Sequence, residues 1–162
     1  RTFAEDIVRG YCTQMDCIHI LKDQLKIMAQ KMVELAKTTR EKGRQTMKVR
    51  ELMEKIGAQA LSGEENLDAE ITCGYSCDLL SWVLAHGKQG MGWCTVQSHV
   101  NVVAVAVLME MACVILVEEV QPEEATLAKA REEGLPVLST AKTAYEVCGI
   151  MNAAGVAFPA RE

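Results

Sequence analysis

From Met47 onward the sequence alternates between strand-like and helix-like segments, and this rhythm constrains the fold more than any other feature. Short runs of β-branched and apolar residues are each followed by a longer segment with helix signals. The pairs are ITCGYSC then DLLSWVLAH, GWCTVQ then HVNVVAVAVLMEM, CVILV then PEEATLAKAREEG, and LPVLS then TAYEVCGIMNAAG. Such alternation predicts an α/β fold, with a mainly parallel sheet flanked by helices.

The segment HVNVVAVAVL tests this interpretation, because its β-branched residues favour a strand by propensity alone. It lies between two good strands, residues 92–97 and 113–117, and parallel neighbours need a crossover of helical length. Residues 100–112 would span about 43 Å if extended and about 20 Å if helical. We therefore predict a helix that is buried nearly all round, with Ser98 as its N-cap and Asn101 in its first turn.

The stretch LDAEITCGYSCDLLSW places two cysteines around Gly74. Its apolar and polar residues alternate, which predicts a half-buried strand through residues 69–77 that enters a helix at 76–78. Cys73 and Cys77 would share a face but lie about 13 Å apart, too far for a disulfide or one shared metal ion. Both thiols are predicted to pack, and the backbone around Gly74 is the part expected to carry function.

The first fifty residues differ from the rest in charge. They contain 11 Lys and Arg against 6 Asp and Glu, whereas residues 51–162 contain 6 against 16, so the net charges are +5 and −10. This asymmetry indicates two modules, a helical arm over residues 1–46 and an α/β domain over residues 47–162. The basic stretch 37–50 is interpreted as a solvated helix end, and an aromatic content of 4% argues against base-stacking nucleic-acid binding.

The arm carries a heptad seam, because its apolar residues recur at alternating spacings of three and four. The seam residues are Ile18, Leu21, Leu25, Met28, Met32 and Leu35. We predict one long helix from about residue 13 to residue 42, ended by Gly43. Its partner is expected to be the same helix in a second subunit, a helix of another protein, or the chain's own α/β domain.

The seven cysteines are scattered through apolar segments with no signal peptide in front of them, which predicts a reducing, cytoplasmic setting. The longest apolar runs are too short to span a bilayer. Cys12, Cys17 and His19 form a C-x4-C-x-H pattern that would suit a metal or iron–sulfur site. On a helix, however, residues five apart point about 140° away from each other, so packing cysteines are favoured and no cofactor is expected.

In an open parallel sheet, ligands bind beyond the carboxyl ends of the strands. The residues predicted there are Gly74, Tyr75, Ser76, Gln97, Ser98, His99, Asn101, Ser139 and Thr140. They would present backbone N–H groups to an anion, but Ser98 and Thr140 would equally be needed as helix caps in a domain that binds nothing. His99 is the best candidate for proton transfer but lacks an evident partner, and Glu118 and Glu119 are interpreted as solvated loop charges. No phosphate-loop, dinucleotide or zinc-protease motif occurs, so an enzyme is not predicted.

Three stretches in order resemble the DRTGG domain family, a small bacterial and archaeal α/β module. They are LDAEITCGYSCDLLSWVL, WCTVQSHVNVVAVAVLMEMACVILVEE and EEGLPVLST, within about residues 47–152. MKVRELMEKIG resembles the start of a free-standing member, so residues 1–46 stay unmatched. The chain departs from the name-giving motif: Asp68 and the stretch 72–74 stand for parts of it, its arginine has no match, and Cys73 replaces one glycine.

The resemblance implies a non-catalytic regulatory domain that dimerises or docks on a partner protein. Redox or energy metabolism is the expected setting. Related domains occur beside nucleotide-sensing CBS domains in some pyrophosphatases and in the regulatory part of some phosphate acetyltransferases. An alternative expectation is therefore a sensor that binds a nucleotide or another small anion at the strand ends. A third is a hydrogenase-associated accessory protein whose N-terminal cysteines hold iron, because free-standing members resemble proteins encoded near iron-only hydrogenase genes.

Overall fold

The computed structural model describes residues 26–33 and 46–159, which lie in two separate compact units of the chain. Residues 26–33 are helical and exposed. They include two members of the predicted seam, Met28 and Met32, whose exposed fractions are 60% and 74%. The remaining seam residues and the candidate metal ligands lie outside the described residues, namely Ile18, Leu21, Leu25, Leu35, Cys12, Cys17 and His19.

The described part of the second unit alternates strands and helices. In chain order the elements are β1 (Met47–Lys48), α1 (Val49–Ile56), β2 (Gln59–Ser62), a 3₁₀ helix (Glu64–Asn66), β3 (Glu70–Ile71), β4 (Cys73–Ser76), α2 (Leu80–His86), β5 (Met91–Thr95), α3 (Asn101–Leu108), β6 (Cys113–Leu116), α4 (Glu124–Glu132), β7 (Val137–Ser139) and α5 (Ala144–Ala153). Within the described residues, no helix is both long enough and apolar enough to cross a lipid bilayer.

The main sheet has five strands in the order β2-β7-β6-β5-β4. Strands β4 to β7 are parallel, and β2 pairs antiparallel with β7. The short strands β1 and β3 form a separate antiparallel pair. The prediction of an α/β fold with a mainly parallel sheet flanked by helices is confirmed.

Helices cover both faces of the sheet. Residues of α2, α3 and α4 pack with Trp93 and Leu116 on one face, and residues of α1 and α5 pack with Ile115 and Leu138 on the other. Trp93, Leu116, Ile115 and Leu138 are all buried, because parallel strands between two helical layers have no face in water. The domain is therefore a three-layer sandwich.

The segment HVNVVAVAVL forms the helix α3, as the length argument predicts. Val103 and its neighbours on the sheet side are buried. The expectation of burial nearly all round is wrong for the outer side, where Leu108 is 69% exposed. The outer side is open because the helix belongs to a surface layer of the sandwich.

The predicted cap of α3 at Ser98 is also wrong, since the N-cap residue is Val100. The backbone N–H of Asn101 donates to Nδ1 of His99 at 3.3 Å. The carbonyl of Ser98 is instead used by the next helix, because it accepts a hydrogen bond from the Thr126 hydroxyl at 2.7 Å.

The predicted single strand through residues 69–77 is two strands, β3 and β4, interrupted at Thr72. The Thr72 N–H donates to the carbonyl of Gly90 at 2.8 Å, and there the chain passes from one sheet to the other. The helix that follows begins at Leu80 and not at residues 76–78. The alternation of the sequence is continuous across Thr72 and therefore does not reveal the change of sheet.

Candidate functional site

The carboxyl ends of the four parallel strands meet at one edge of the sheet. Ser76 lies opposite Cys94, Thr95 lies opposite Leu116, and Leu116 lies opposite Ser139. Because neighbouring strands are about 4.8 Å apart, this edge runs about 14 Å from β4 to β7. The structure thus places the predicted residues Ser76, Gln97, Ser98, His99, Asn101, Ser139 and Thr140 in or beside this edge.

The loop after β5 carries four of the predicted residues. His99 and Asn101 are exposed, whereas Gln97 and Ser98 are half-buried. The N–H of Gln97 donates to the hydroxyl of Thr95 at 3.1 Å. With His99 bonded to the N–H of Asn101, this imidazole holds the first turn of α3. The loop is therefore shaped by hydrogen bonds within itself.

Asp78 lies in the loop after β4 and connects it to the loop after β5, a contact that the sequence did not predict. Its Oδ1 atom accepts hydrogen bonds from the hydroxyl of Thr95 at 2.8 Å and from the N–H of Val96 at 3.0 Å. Thr95 is only 1% exposed, so its hydroxyl needs such a partner. An Asp just before a helix predicts a cap on that helix, here α2. The Asp78 carboxylate instead accepts hydrogen bonds from Thr95 and Val96 in the next loop.

The loop after β6 makes a tight turn at Glu118 and Glu119. Both residues have positive φ, 58° and 57°, and the N–H of Val120 returns to the carbonyl of Val117 at 3.2 Å, as in a type I′ turn. The N–H of Glu119 also donates to the carbonyl of Thr140 at 3.1 Å. The two carboxylate side chains are exposed, as expected for solvated charges, and they make this edge acidic.

Thr140 is used inside the domain. Its hydroxyl is buried, donates to the carbonyl of Ile56 at 2.9 Å and accepts from the N–H of Lys142 at 3.3 Å. The predicted helix cap at Thr140 is wrong, because Thr143 caps α5 through a capping box with Glu146. The backbone N–H and the hydroxyl of Thr143 lower the pKa of the Glu146 carboxyl.

Gly74 lies within β4, away from the strand end. Its N–H donates to the carbonyl of Ala157 at 3.0 Å. A Cβ atom there would come within 2.8 Å of Met151 Cε, so glycine lets α5 pack closely on the sheet. The next residue, Tyr75, is half-buried and packs with the core on the α2 side.

The chemistry available at this edge is that of hydrogen bonding. Within residues 26–33 and 46–159, no group of three or more His, Cys, Asp or Glu side chains is placed to hold a metal ion. Hydroxyl and amide groups dominate the loops, and the charged groups of the turn at 118–119 are carboxylates. The described loops therefore offer hydrogen-bond donors and acceptors together with negative charge.

Residues 95–154 match the model of the DRTGG domain. The match runs from the end of β5 through α5, and the resemblance predicted from the sequence is confirmed. A comparison with curated proteins gives no match.

Among solved structures, the chain is similar to the crystal structure of the CBS and DRTGG domains of the regulatory region of Clostridium perfringens pyrophosphatase, complexed with its activator diadenosine tetraphosphate. The TM-score is 0.52 at 10% sequence identity, and the similarity covers 62% of this chain and 44% of that one. The chain thus spans less than half the length of that structure, and at this identity the similarity shows the fold alone.

Proposed function

Because residues 95–154 match the DRTGG domain, we propose that the chain is a non-catalytic regulatory domain that dimerises or docks on a partner protein, in a redox or energy-metabolism system. The observation that carries the proposal is how the polar groups of the strand ends are used. Asp78 and Thr140 bond to neighbouring segments, and His99 bonds to the first turn of α3. These groups hold loops in place, whereas a catalytic group must reach its substrate.

The outer edge of the sheet at β4 supports the docking part of the proposal. β4 is the last strand on its side of the five-stranded sheet, bridged at Cys73 by Ala157. Apolar side chains are exposed on the segments that adjoin β4, since Trp82 is 52% exposed and Phe158 is 75% exposed. An exposed tryptophan near a sheet edge is typical of a protein-binding surface.

The experiment is to measure the molar mass of the full chain by sedimentation velocity at micromolar concentrations. Trp82→Glu is expected to weaken association about tenfold or more, since it places a charge in the proposed interface. Ala128→Glu is the matched control, because it adds the same charge on the exposed side of α4. A monomeric wild-type chain refutes dimerisation, and equal effects of the two variants refute this surface.

The arm is tested separately. Met28→Glu together with Met32→Glu places two charges in the predicted seam, and both side chains are exposed within the helix at 26–33. If the seam pairs with a second helix, this double variant lowers the molar mass at the same concentration. Lys26→Glu with Gln30→Glu changes two exposed residues of the same helix away from the seam and serves as the control.

A second candidate function is a sensor for a nucleotide or another small anion at the strand ends. It is favoured by the similar pyrophosphatase region, whose structure contains diadenosine tetraphosphate. The exposed residues His99 and Asn101 stand at the start of α3, where a helix N-terminus attracts anions. Against it stand the exposed carboxylates of Glu118 and Glu119, which repel an anion at this edge.

A thermal-shift screen with adenine nucleotides, diadenosine tetraphosphate, NADH and phosphate distinguishes the two functions. A ligand at a hundred times its Kd stabilises the folded domain by about 2.7 kcal/mol. Asn101→Ala is expected to reduce that shift, whereas Asn152→Ala, exposed near the end of α5, is expected to leave it unchanged. If none of these compounds shifts the melting temperature, only the interaction role remains.

A further inference from the structure

Three cysteines approach one another beneath α5. Cys94 on β5 and Cys113 on β6 are fully buried, and Cys148 in α5 is partly exposed. All three belong to or pack against the hydrophobic cluster between the sheet and the helices α1 and α5. The described residues hold no metal-binding group of three such side chains, so this thiol cluster is not a metal site.

Cys94 and Cys148 lie in one hydrophobic cluster, where α5 packs against β5. The buried thiol of Cys94 donates a hydrogen bond to the sulfur of Cys148. This bond lowers the pKa of Cys148 to about 7, whereas burial opposes the shift. The same bond, together with burial, raises the pKa of Cys94 well above its ordinary value. The pair therefore combines a partly exposed thiolate with a buried thiol that keeps its proton.

The two thiols differ in access as well as in charge. A solvent-borne oxidant reaches the partly exposed Cys148 first, since Cys94 has no exposed surface. Reactive cysteines are those that combine thiolate character with exposure, and redox-sensing ones often stand next to a second cysteine that resolves the oxidised form. Cys113 is less suited to that second role, because it lies on the next strand and the hydrogen bond to Cys148 comes from Cys94.

We propose that Cys148 is a hydroperoxide-sensitive thiol and that Cys94 resolves its oxidised form as a disulfide that joins α5 to β5. The Cys148 sulfur attacks the hydroperoxide, an S–O bond forms and the O–O bond breaks, and the departing alkoxide or hydroxide takes up a proton. Cys148 is thereby oxidised to a sulfenic acid and the hydroperoxide is reduced to an alcohol or to water. The Cys94 sulfur then attacks the Cys148 sulfur, an S–S bond forms, the S–O bond breaks, and the hydroxide leaves as water with the Cys94 proton.

The experiment exposes the full-length reduced chain to hydrogen peroxide at pH 7, blocks remaining thiols and maps peptides by mass spectrometry without reduction. A cross-linked peptide containing Cys94 and Cys148 is expected. Cys77 is the internal reference, because it is also partly exposed and lies outside the cluster with Cys94. Because its pKa is lowered and its side chain is partly exposed, Cys148 is expected to be oxidised severalfold faster than Cys77.

Three variants test the assignment. Cys148→Ser abolishes the cross-link, and because this side chain is partly exposed the variant is expected to fold. Cys94→Ser leaves a sulfenic acid on Cys148 that dimedone traps, and Cys77→Ser leaves the cross-link unchanged. Should Cys94→Ser fail to fold, the wild-type cross-link and its loss in Cys148→Ser still decide the question. A wild-type chain in which Cys77 reacts first, or in which Cys148 is oxidised without a cross-link to Cys94, overturns the proposal.

Discussion

Replacing Thr140 by valine is expected to weaken the domain without changing its shape. The side chain is 4% exposed. Its hydroxyl donates to the carbonyl of Ile56 at the end of α1, far away in the chain, and accepts from the N–H of Lys142, two residues further on. Valine has nearly the volume of threonine and cannot donate or accept a hydrogen bond. Thr140→Val therefore leaves the carbonyl of Ile56 without this partner.

The magnitude follows from the two hydrogen bonds. The bond from Thr140 to Ile56 is 2.9 Å long, and leaving such a buried group unsatisfied costs about 1–3 kcal/mol. The bond from Lys142, at 3.3 Å, is long and contributes less. The expected loss is about 2 kcal/mol in the free energy of unfolding, which lowers the urea midpoint by about 1 M for a domain of this size.

The control is Thr140→Ser, which keeps the hydroxyl and removes one methyl group at a cost of about 0.8 kcal/mol. Urea unfolding followed by circular dichroism should rank the stabilities as wild type, then serine, then valine. A valine variant as stable as the serine variant would refute the reasoning. Because Thr140 is also a candidate ligand residue, the ligand screen should use the serine variant, in which the domain stays folded.

Three further predictions concern the glycine at position 63, the carboxylate of Glu146 that caps α5, and the thiol of Cys148. Gly63→Ala should cost roughly 2–5 kcal/mol, because φ is +67° and the added Cβ would clash with the backbone nitrogen of Pro136. Urea unfolding measures the loss, and a cost below about 1 kcal/mol contradicts it. The pKa of Glu146 is lowered in the folded state by its bonds to Thr143, so its stabilisation is present above the ordinary value of 4.5 and is lost as the pH falls through the folded value. Glu146→Gln should remove that part of the pH dependence of Tm, and an unchanged profile would exclude the cap as its source. Alkylation of Cys148 by iodoacetamide should rise with pH around a midpoint of about 7, whereas a midpoint near 9 would show that the thiol is ordinary.

The helical crossover at α3 shows how far local reasoning reaches. Propensity favours a strand for HVNVVAVAVL, and the correct answer comes from the distance that a connection between parallel strands has to span. The same reasoning fails at Thr72, where one alternating pattern serves two sheets. Alternation of apolar and polar residues indicates which side chains of a strand face a core. It does not indicate which other strand pairs with that strand.

For the strand-end residues, the sequence predicts where they lie but not which groups they bond to. Their common edge is predictable, because parallel strands end on the same side of a sheet. Their hydrogen-bond partners are not, and the predicted caps at Ser98 and Thr140 are both wrong for this reason. Capping signals in a sequence are local, whereas the Thr140 hydroxyl bonds to Ile56, far away in the chain.

By itself, the sequence determined the α/β class and the alternation of strands and helices, because these depend on periodicity, turn residues and the length of each connection. The DRTGG resemblance came from the likeness of three stretches of residues in order. Only the tertiary structure decided that Asp78 meets Thr95, that Thr140 meets Ile56 and that Cys94 meets Cys148. Each pair joins segments that are separate in the chain. Their contact depends on the strand order and on the face of the sheet that each helix covers. Neither can be predicted from the local pattern of residues.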